Sequence, residues 1–253
     1  ITLDAALLLD DGDDVRNTDK DANGNDVTDI TEAFVEGSGS VTVNELSADL
    51  DASSHTGSLV VNVAQISGID DVDITLGSSG GEVDVTNSNE GAFIDASSVG
   101  SGDVVEIRGI DQAVEVSALG DGVVVDAASD ADGYDGALDL VTEVGAQGVE
   151  VLTGTAATSL TASGGGSATV EAADLTEALT LAGDSTITVN DLATDLLAGG
   201  TAGDVVVNTA AVSGDGASAA DAALEMTAGK GRLKVNGDDS VGEDTSTVGI
   251  AVT

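Results

Sequence analysis

The stretch VTVNELSADLDASSHTGSLVVNVAQISG (41–68) recurs as ITVNDLATDLLAGGTAGDVVVNTAAVSG (187–214), at an offset of 146 residues. The two stretches align without a gap, and 14 of 28 positions are identical. With a few residues inserted, the similarity continues from ITLGSSGGEVDV (74–85) to LEMTAGKGRLKV (224–235). Self-similarity of this kind is typical of folds that stack equivalent units. The sequence therefore predicts that a unit of about half the chain is duplicated.

A shorter period lies inside this unit, because a tetrapeptide of the form apolar, any residue, apolar, polar recurs at steps of 18 to 28 residues. The ten copies are VTVN (41–44), LVVN (59–62), VDVT (83–86), VEIR (105–108), VVVD (123–126), VEVL (149–152), ATVE (168–171), ITVN (187–190), VVVN (205–208) and LKVN (233–236). Alternation over short β-branched runs predicts strands. A shortest step near 18 with longer insertions is typical of a solenoid rung, meaning one complete winding of the chain. We therefore predict an all-β fold, a parallel β-solenoid (β-helix or β-roll-like) with rungs of about 18–28 residues.

Short apolar runs between the tetrapeptides are candidate second strands of the rungs. They are ITL (74–76), SLTA (159–162), ALTLA (178–182) and ALEM (223–226). The competing architecture is a pair or more of immunoglobulin-like β-sandwich domains in tandem. Such domains usually carry a core aromatic residue and Pro at edges and turns, whereas this chain has two Phe, one Tyr and no Pro. The solenoid is therefore preferred.

The predicted organisation has three segments. Residues 1–37 lie outside the tetrapeptide pattern and are assigned to an N-terminal cap or connector with an acidic loop. Residues 38–148 form the first β-repeat unit and residues 149–253 the second, and together they are expected to make one continuous solenoid.

Two polar residue types mark the ends of the predicted strands. Asn follows five of them, at Asn44, Asn62, Asn190, Asn208 and Asn236. In a parallel solenoid such amides can form hydrogen-bonded ladders, and Asn also tolerates left-handed turn geometry; the sequence supports both interpretations equally. Gly-Asp precedes four strands, at 102–103, 120–121, 183–184 and 203–204. There Gly permits a tight turn, and Asp caps it or binds a cation.

The composition is strongly acidic. The chain has 253 residues, with 47 Asp and Glu against 6 Lys and Arg, which gives a formal net charge of -41. Such a polyanion repels phosphates and anionic membrane surfaces, so we expect no nucleic-acid partner. No apolar run approaches the roughly 18 residues of a membrane span, so no membrane insertion is expected. With 41% hydrophobic residues the chain is not a disordered polyanion, and with 1% aromatics its core must be made of aliphatic side chains.

The sharpest local motif is the acidic loop DKDANGNDVTD (19–29). Alternate side-chain oxygens around a Gly turn converge on one hard cation, as they do in calcium loops. The candidate ligands are Asp19, Asp21, Asn23, the carbonyl of Asn25, and Asp29. Ile30 occupies the position where an EF-hand has its bidentate Glu, so Asp29 or Glu32 would have to replace that ligand. The alternative is a solvated, Asx-rich turn.

A second candidate calcium loop is DADGYDGALD (130–139), in which Asp130, Asp132 and Asp135 bracket Gly133. Its spacing is less regular. Divalent cations would relieve the repulsion between carboxylates brought together at stacked turns, so several Ca²⁺ sites are expected. A halophilic source would also account for the acidity.

The sequence offers little for catalysis, and we predict that the protein is not an enzyme. The single histidine, His55, lies in a Ser/Thr/Gly-rich loop and lacks the second His or Cys of a zinc site. Paired carboxylates are too common here to indicate a glycosidase. Lys230, Arg232 and Lys234 alternate at period 2, and we predict that they contact a neighbouring acidic rung or subunit.

Rungs such as SLTASGGGSATVEAADLTEALTLAGDSTITVNDL (159–192), rich in Ala, Thr, Gly and Asp, resemble the repetitive body of bacterial surface-layer proteins and the related RTX-type secreted adhesins. The likeness covers residues 38–253 and is one of composition and period; the nonapeptide GGxGxDxUx of RTX calcium rolls is not found intact. The resemblance implies type I secretion, an extracellular or cell-surface location, calcium binding and assembly into lattices or fibres.

We therefore expect a non-enzymatic, calcium-stabilised, self-assembling structural protein of a bacterial surface layer or extracellular filament. Its main partner would be itself, with cell-surface polysaccharide as a possible second partner. The alternative is a stalk or ligand-binding module of a large secreted adhesin. A β-helix polysaccharide-degrading or phage-spike domain fits less well, because such a domain needs clustered sugar-stacking aromatics.

Overall fold

The computed structural model describes residues 2–4, 32–46, 48–64, 72–86, 88, 91–110, 112–128, 136–143, 148–209, 225–236 and 251–252. These residues form two eleven-stranded sheets. The first sheet contains the odd-numbered strands and the second sheet the even-numbered strands, so the chain alternates between the sheets along its length. The parallel β-solenoid predicted from the tetrapeptide period is confirmed.

The strands of the first sheet are β1 (Thr2–Asp4), β3 (Val41–Leu46), β5 (Leu59–Val63), β7 (Gly80–Asp84), β9 (Val104–Arg108), β11 (Val124–Asp126), β13 (Val149–Leu152), β15 (Ser167–Glu171), β17 (Thr186–Leu192), β19 (Val205–Thr209) and β21 (Leu233–Asn236). The strands of the second sheet are β2 (Glu32–Phe34), β4 (Asp49–Asp51), β6 (Val72–Thr75), β8 (Ala92–Asp95), β10 (Ala113–Leu119), β12 (Ala137–Glu143), β14 (Ala157–Ser163), β16 (Leu179–Gly183), β18 (Leu196–Thr201), β20 (Glu225–Thr227) and β22 (Ala251–Val252).

Every strand pairing among the described residues is parallel, and each strand pairs with the next strand of its own sheet. Immunoglobulin-like sandwiches are antiparallel, so the tandem-sandwich alternative is wrong. The ten tetrapeptides coincide with β3 to β21 of the first sheet, and the additional apolar runs fall on strands of the second sheet.

The core consists of the side chains that point between the two sheets. In β17, Ile187 and Val189 are fully buried, whereas Thr188 and Asn190 point outward and are half-buried. Among the described residues the buried hydrophobic side chains are Val, Leu, Ile and Ala together with Met226. Each fully buried Val, Leu or Ile contributes about 1.5–3 kcal/mol. The aliphatic core expected from the composition is confirmed for the described residues, in which both Phe side chains are exposed.

The internal duplication is visible in the backbone. In β3 the pairing with β5 shifts by one residue between Val43 and Leu46, and the inserted Glu45 has φ 53°. In β17 the pairing with β19 shifts in the same way between Val189 and Leu192, and Asp191 has φ 54°. Each pair of equivalent positions is 146 residues apart, so both copies carry the same β-bulge.

The register contains slips that the tetrapeptides do not predict. If the tetrapeptides were aligned by their first residues, Leu59 would lie opposite Val83, but Val83 pairs with Val61. Likewise Val105 pairs with Val125, two residues beyond the start of VVVD at 123. A slip of two residues keeps every apolar side chain on the same face, since the side-chain period of a strand is two. The slips therefore leave the core intact and change which outward residues are neighbours.

At two of the four Gly-Asp corners, those of Gly183 and Gly203, successive rungs approach each other closely. Gly183 has φ +103°, and a Cβ on it would lie 1.9 Å from the carbonyl oxygen of Ala162 in the preceding rung. Only glycine meets both requirements, the left-handed backbone and the missing side chain. Such corners let the rungs stack at the strand spacing of a sheet.

The pairing also crosses the predicted segment boundaries. Strands β1 and β2, which lie within residues 1–37, pair with β3 and β4. Across the boundary at 148/149, β11 pairs with β13 and β12 pairs with β14. Both sheets thus run on through the join between the two repeat units.

Candidate functional site

The predicted calcium ligands fall outside the described residues. This holds for Asp19, Asp21, Asn23, Asn25 and Asp29 of the first loop and for Asp130, Asp132 and Asp135 of the second. Within the described part of the chain, no group of three or more His, Asp or Glu side chains is arranged to hold a metal ion. Calcium binding therefore stays a prediction that concerns those two loops.

The aspartates of the Gly-Asp corners cap backbone groups of neighbouring rungs. The N–H of Gly148 donates to Asp121 Oδ1 (2.7 Å), and the N–H of Gly164 donates to Asp184 Oδ1 (3.0 Å). The N–H of Arg232 donates to Asp204 Oδ1 (3.0 Å). Hydrogen bonds to ionised acceptors are the stronger kind, so these carboxylates join one rung to the next. Of the two roles that the sequence allowed, these three aspartates perform the capping role.

Four other aspartates close turns directly after a strand, a role that the sequence analysis missed. The carboxylate of each of these aspartates accepts a hydrogen bond of 2.8–3.0 Å from the backbone N–H two residues later. They are Asp51, Asp84, Asp95 and Asp126. The repeated DASS at 51–54 and 95–98 is the sequence signal for this Asx turn. Hydrogen bonds from the side chain and backbone of Ser53 lower the pKa of Asp51.

The asparagines predicted to follow strands lie within β3, β5, β17, β19 and β21, and they form hydrogen-bonded ladders. Asn62 Nδ2 donates to Asn44 Oδ1 (2.8 Å). In the second copy, Asn236 Nδ2 donates to Asn208 Oδ1 (2.7 Å) and Asn208 Nδ2 donates to Asn190 Oδ1 (2.6 Å). None of these Asn residues has a positive φ; next to Asn44 and Asn190 it is the following residue, Glu45 or Asp191, that is left-handed. The ladder interpretation is therefore confirmed, and the left-handed interpretation of these Asn residues is wrong.

The second ladder belongs to one line of outward side chains in the first sheet, which we call the outer column. In strand order it contains Glu82, Glu106, Asp126, Leu152, Glu171, Asn190, Asn208 and Asn236. Asn190 Nδ2 donates to Glu171 Oε1 (2.6 Å), so the amide chain ends on a carboxylate. All three hydrogen bonds run in the same direction, an arrangement in which aligned amide dipoles strengthen one another.

The other half of the outer column carries like charges that need a cation. Arg108 Nε donates to Glu106 Oε1 (2.8 Å), and Arg108 Nη1 lies 3.4 Å from Glu82 Oε1 on the next strand. The hydrogen bond to Glu106 raises the pKa of Arg108, and the charges of Glu82, Glu106 and Asp84 act in the same direction. One guanidinium thus bridges two carboxylates that the register places side by side.

The predicted basic contact lies at the start of β21. Only Lys234 is within the strand; Lys230 and Arg232 precede it, and all three side chains are exposed. Arg232 binds Asp204 of the adjacent rung through Nε (3.1 Å) and Nη2 (2.5 Å). This hydrogen bonding lowers the pKa of Asp204 and raises that of Arg232. Lys230 and Lys234 form no ion pair with the described residues.

His55 is a buried corner residue. Its side chain is 1% exposed, and Nε2 lies 3.4 Å from the carbonyl oxygen of Ser58. The backbone of His55 contacts both neighbouring rungs, through a bridge to Gly37 and a hydrogen bond from the N–H of Ser78. The residue thus packs the interior of the corner between β4 and β5.

The outer face of the second sheet differs between its two halves. The register aligns Asp49, Asp73, Phe93, Glu115 and Asp139 along β4 to β12. The same line continues along β14 to β20 as Ser159, Thr180, Leu197 and Thr227. One half of this line is acidic around an exposed aromatic ring, and the other half of the line is uncharged.

No protein-family model, curated protein or solved structure matches this chain. The described residues include no helix of the length and apolarity that crossing a membrane would require. The functional argument therefore depends on the fold and the surfaces described above.

Proposed function

We propose that this chain is a non-enzymatic structural protein of a bacterial surface layer or extracellular filament, self-assembling and stabilised by calcium. The observation that supports it most is the continuity of the two sheets across both repeat units. Ten steps of about 4.8 Å between eleven strands give a sheet roughly 48 Å long, joined at every rung by backbone pairing. Such a rod is suited to bearing load and to presenting regular outer faces.

The side chains on these faces support the same proposal. Aspartates cap neighbouring rungs, amides form ladders, and Arg108 bridges two carboxylates, so the polar outward residues named above serve the cohesion of the rod. The net charge of -41 opposes contact between copies unless cations screen it. Calcium at the loops 19–29 and 130–139 would lower this repulsion, and millimolar extracellular calcium fills sites with Kd of about 10⁻⁴–10⁻³ M.

The proposed location follows from the same argument. A protein that depends on weak calcium sites is suited to the outside of the cell, reached in this proposal by type I secretion. The second candidate, an adhesin stalk, predicts a folded monomer in calcium, and the same rod would serve it.

The decisive experiment is negative-stain microscopy together with sedimentation velocity of the full chain in 5 mM CaCl₂ and in EDTA. We expect ordered assemblies in calcium that disperse in EDTA, with a lower Tm in EDTA. Asp19→Asn/Asp21→Asn with Asp130→Asn/Asp132→Asn should lose the calcium effect. A matched control, Glu36→Gln/Glu150→Gln/Asp174→Asn/Glu177→Gln, removes four exposed carboxylates outside both loops and should retain the calcium effect. A folded monomer at all calcium concentrations would reject the assembly proposal in favour of the stalk.

A further inference from the structure

The exposed ring of Phe93 lies among carboxylates on the outer face of the second sheet. Its side chain is 42% exposed, and the register places Asp73 and Glu115 beside it on the two adjacent strands. Neighbouring strands are about 4.8 Å apart, so both carboxylates flank the ring closely. Asp95, two residues further along β8, points to the same side. We call Asp73, Phe93, Asp95 and Glu115 the Phe93 face.

This arrangement suits a cation. An ammonium group over an aromatic ring gains about 0.5–2 kcal/mol from the ring quadrupole, and flanking carboxylates add charge attraction. A large apolar side chain left in water also costs free energy, which burial under a partner recovers. The Phe93 face would therefore bind a lysine side chain better than an anionic or purely apolar group.

The chain carries such cations at the other end of the solenoid. Three of its six basic residues lie within residues 230–234. Arg232 is held by Asp204. Lys230 and Lys234 are exposed and have no ion-pair partner in the described part of the chain. We call these two residues the lysine pair.

We propose that the lysine pair of one copy docks on the Phe93 face of a second copy. The argument is charge complementarity: the pair is an exposed cationic site, and the face combines an exposed ring with three carboxylates. This inference rests on the proposed function, since it names the contact by which the rods would associate. At an ionic strength of 0.15 M the Debye length is about 8 Å, so local complementarity can act while distant like charges are screened.

The position of the two patches determines the kind of assembly. The Phe93 face is centred on β8 and the lysine pair lies at β21, so the contact joins two different surfaces. A contact between different surfaces is heterologous and leaves a free patch of each kind on a dimer. Repetition then gives rings or open, staggered filaments.

The test is sedimentation velocity of the full chain over a concentration series in calcium at 0.15 M salt. Lys230→Glu/Lys234→Glu and, separately, Phe93→Ser should each raise the concentration of half-association at least tenfold. The controls are Glu150→Lys, a charge change on the first sheet, and Leu197→Ser. Leu197 is also 42% exposed and lies in line with Phe93, but its neighbours on the two adjacent strands, Thr180 and Thr227, are uncharged, and both controls should associate as the wild type does.

A charge swap distinguishes a contact from a general charge effect. Adding Asp73→Lys/Glu115→Lys to Lys230→Glu/Lys234→Glu should restore association, because it exchanges the signs across the contact. Adding Glu150→Lys/Glu177→Lys instead gives the same net charge at positions away from the Phe93 face and should not restore it. Carbodiimide treatment of the assembled wild type should also produce a Lys234–Glu115 crosslink between copies, detected by mass spectrometry. Circular dichroism of each variant confirms folding, which is expected because all the changed side chains lie on the surface.

Three results would overturn the inference. If Lys230→Glu/Lys234→Glu associates as the wild type does, the contact is wrong, but the proposed function is unaffected. A wild-type chain that never associates would reject both. If Phe93→Ser loses retention on an insoluble neutral polysaccharide while its association is unchanged, the ring binds sugar and the lysine contact is wrong.

Discussion

The two halves of the outer column have the same strand geometry but different side chains, amides in one half and carboxylates in the other. Between Glu171 and Asn236 each side chain hydrogen-bonds to its neighbour, because an amide both donates and accepts. Between Glu82 and Asp126 the neighbours are carboxylates, which only accept, and Arg108 supplies the missing donors. Leu152 lies between the two halves. Amide side chains stacked in register therefore satisfy one another's hydrogen bonds, whereas stacked carboxylates depend on a cation.

The largest effect is expected when the amide ladder is interrupted in its middle. Asn190→Ala removes a bond from Asn208 and a charge-assisted bond to Glu171, so we expect a loss of about 2–3 kcal/mol in the free energy of unfolding. Asn236→Ala, at the end of the ladder, removes one bond and should cost about 1 kcal/mol. Denaturant unfolding measures both. Equal losses of unfolding free energy at the two positions would contradict the expected difference between the middle and the end of the amide ladder, and Thr188→Ala, an outward neighbour, is the control.

In the charged half the equivalent test is Arg108→Met, which keeps most of the apolar stem and removes the cation. Glu82 and Glu106 then repel without compensation, and we expect a loss of about 1 kcal/mol, since the side chains are partly exposed and screened by solvent. Raising the salt to 1 M should reduce the difference from wild type, because the Debye length falls to about 3 Å.

Adding Glu106→Gln to Arg108→Met tests the difference between amides and acids directly, since it replaces a carboxylate of the outer column by an amide. Part of the lost stability should return at low salt. If Arg108→Met proves equally destabilising at 0.05 M and 1 M salt, charge repulsion is not the cause.

The smallest expected effect is a pH dependence of stability, which distinguishes the Asx-turn aspartates from the amides. The pKa of Asp51 is lowered from its ordinary value of 3.8, so the folded state favours the charged form. This stabilisation is complete above the unfolded pKa and is lost as the pH falls through the folded pKa. Asp51→Asn should therefore be less stable than wild type at pH 6, and the gap should close towards pH 2.

Thermal unfolding at several pH values measures this gap. The comparison with Asp51→Asn cancels the general gain that follows when the net negative charge is neutralised by acid. Asp139→Asn removes one exposed charge without an Asx turn and serves as control. A gap that widens on acidification would contradict the assignment.

Sequence reasoning reached the architecture because the signals are local. Alternation in VTVN at 41–44 and its nine relatives predicts both a strand and its inward face, and the steps of 18 to 28 residues predict parallel stacking. It did not reach the Asx-turn role of Asp51 and Asp95, although the repeated DASS was available as a signal. The proposed calcium loops were read from spacing alone, and they remain predictions.

The sequence by itself determined the strands, their inward residues and the duplication, because the hydrophobic period of two and the repeat length are written along the chain. Only the tertiary structure decided which outward residues meet. Slips of two residues at β7 and β11 leave inward positions inward and outward positions outward, so the hydrophobic pattern does not reveal them. Those slips place Glu82, Glu106 and Asp126 in line with Asn190, Asn208 and Asn236, and Asn44 and Asn62 in a different line. Burial of the inward side chains determines the hydrophobic period of each strand, whereas the register between strands determines which polar side chains are neighbours.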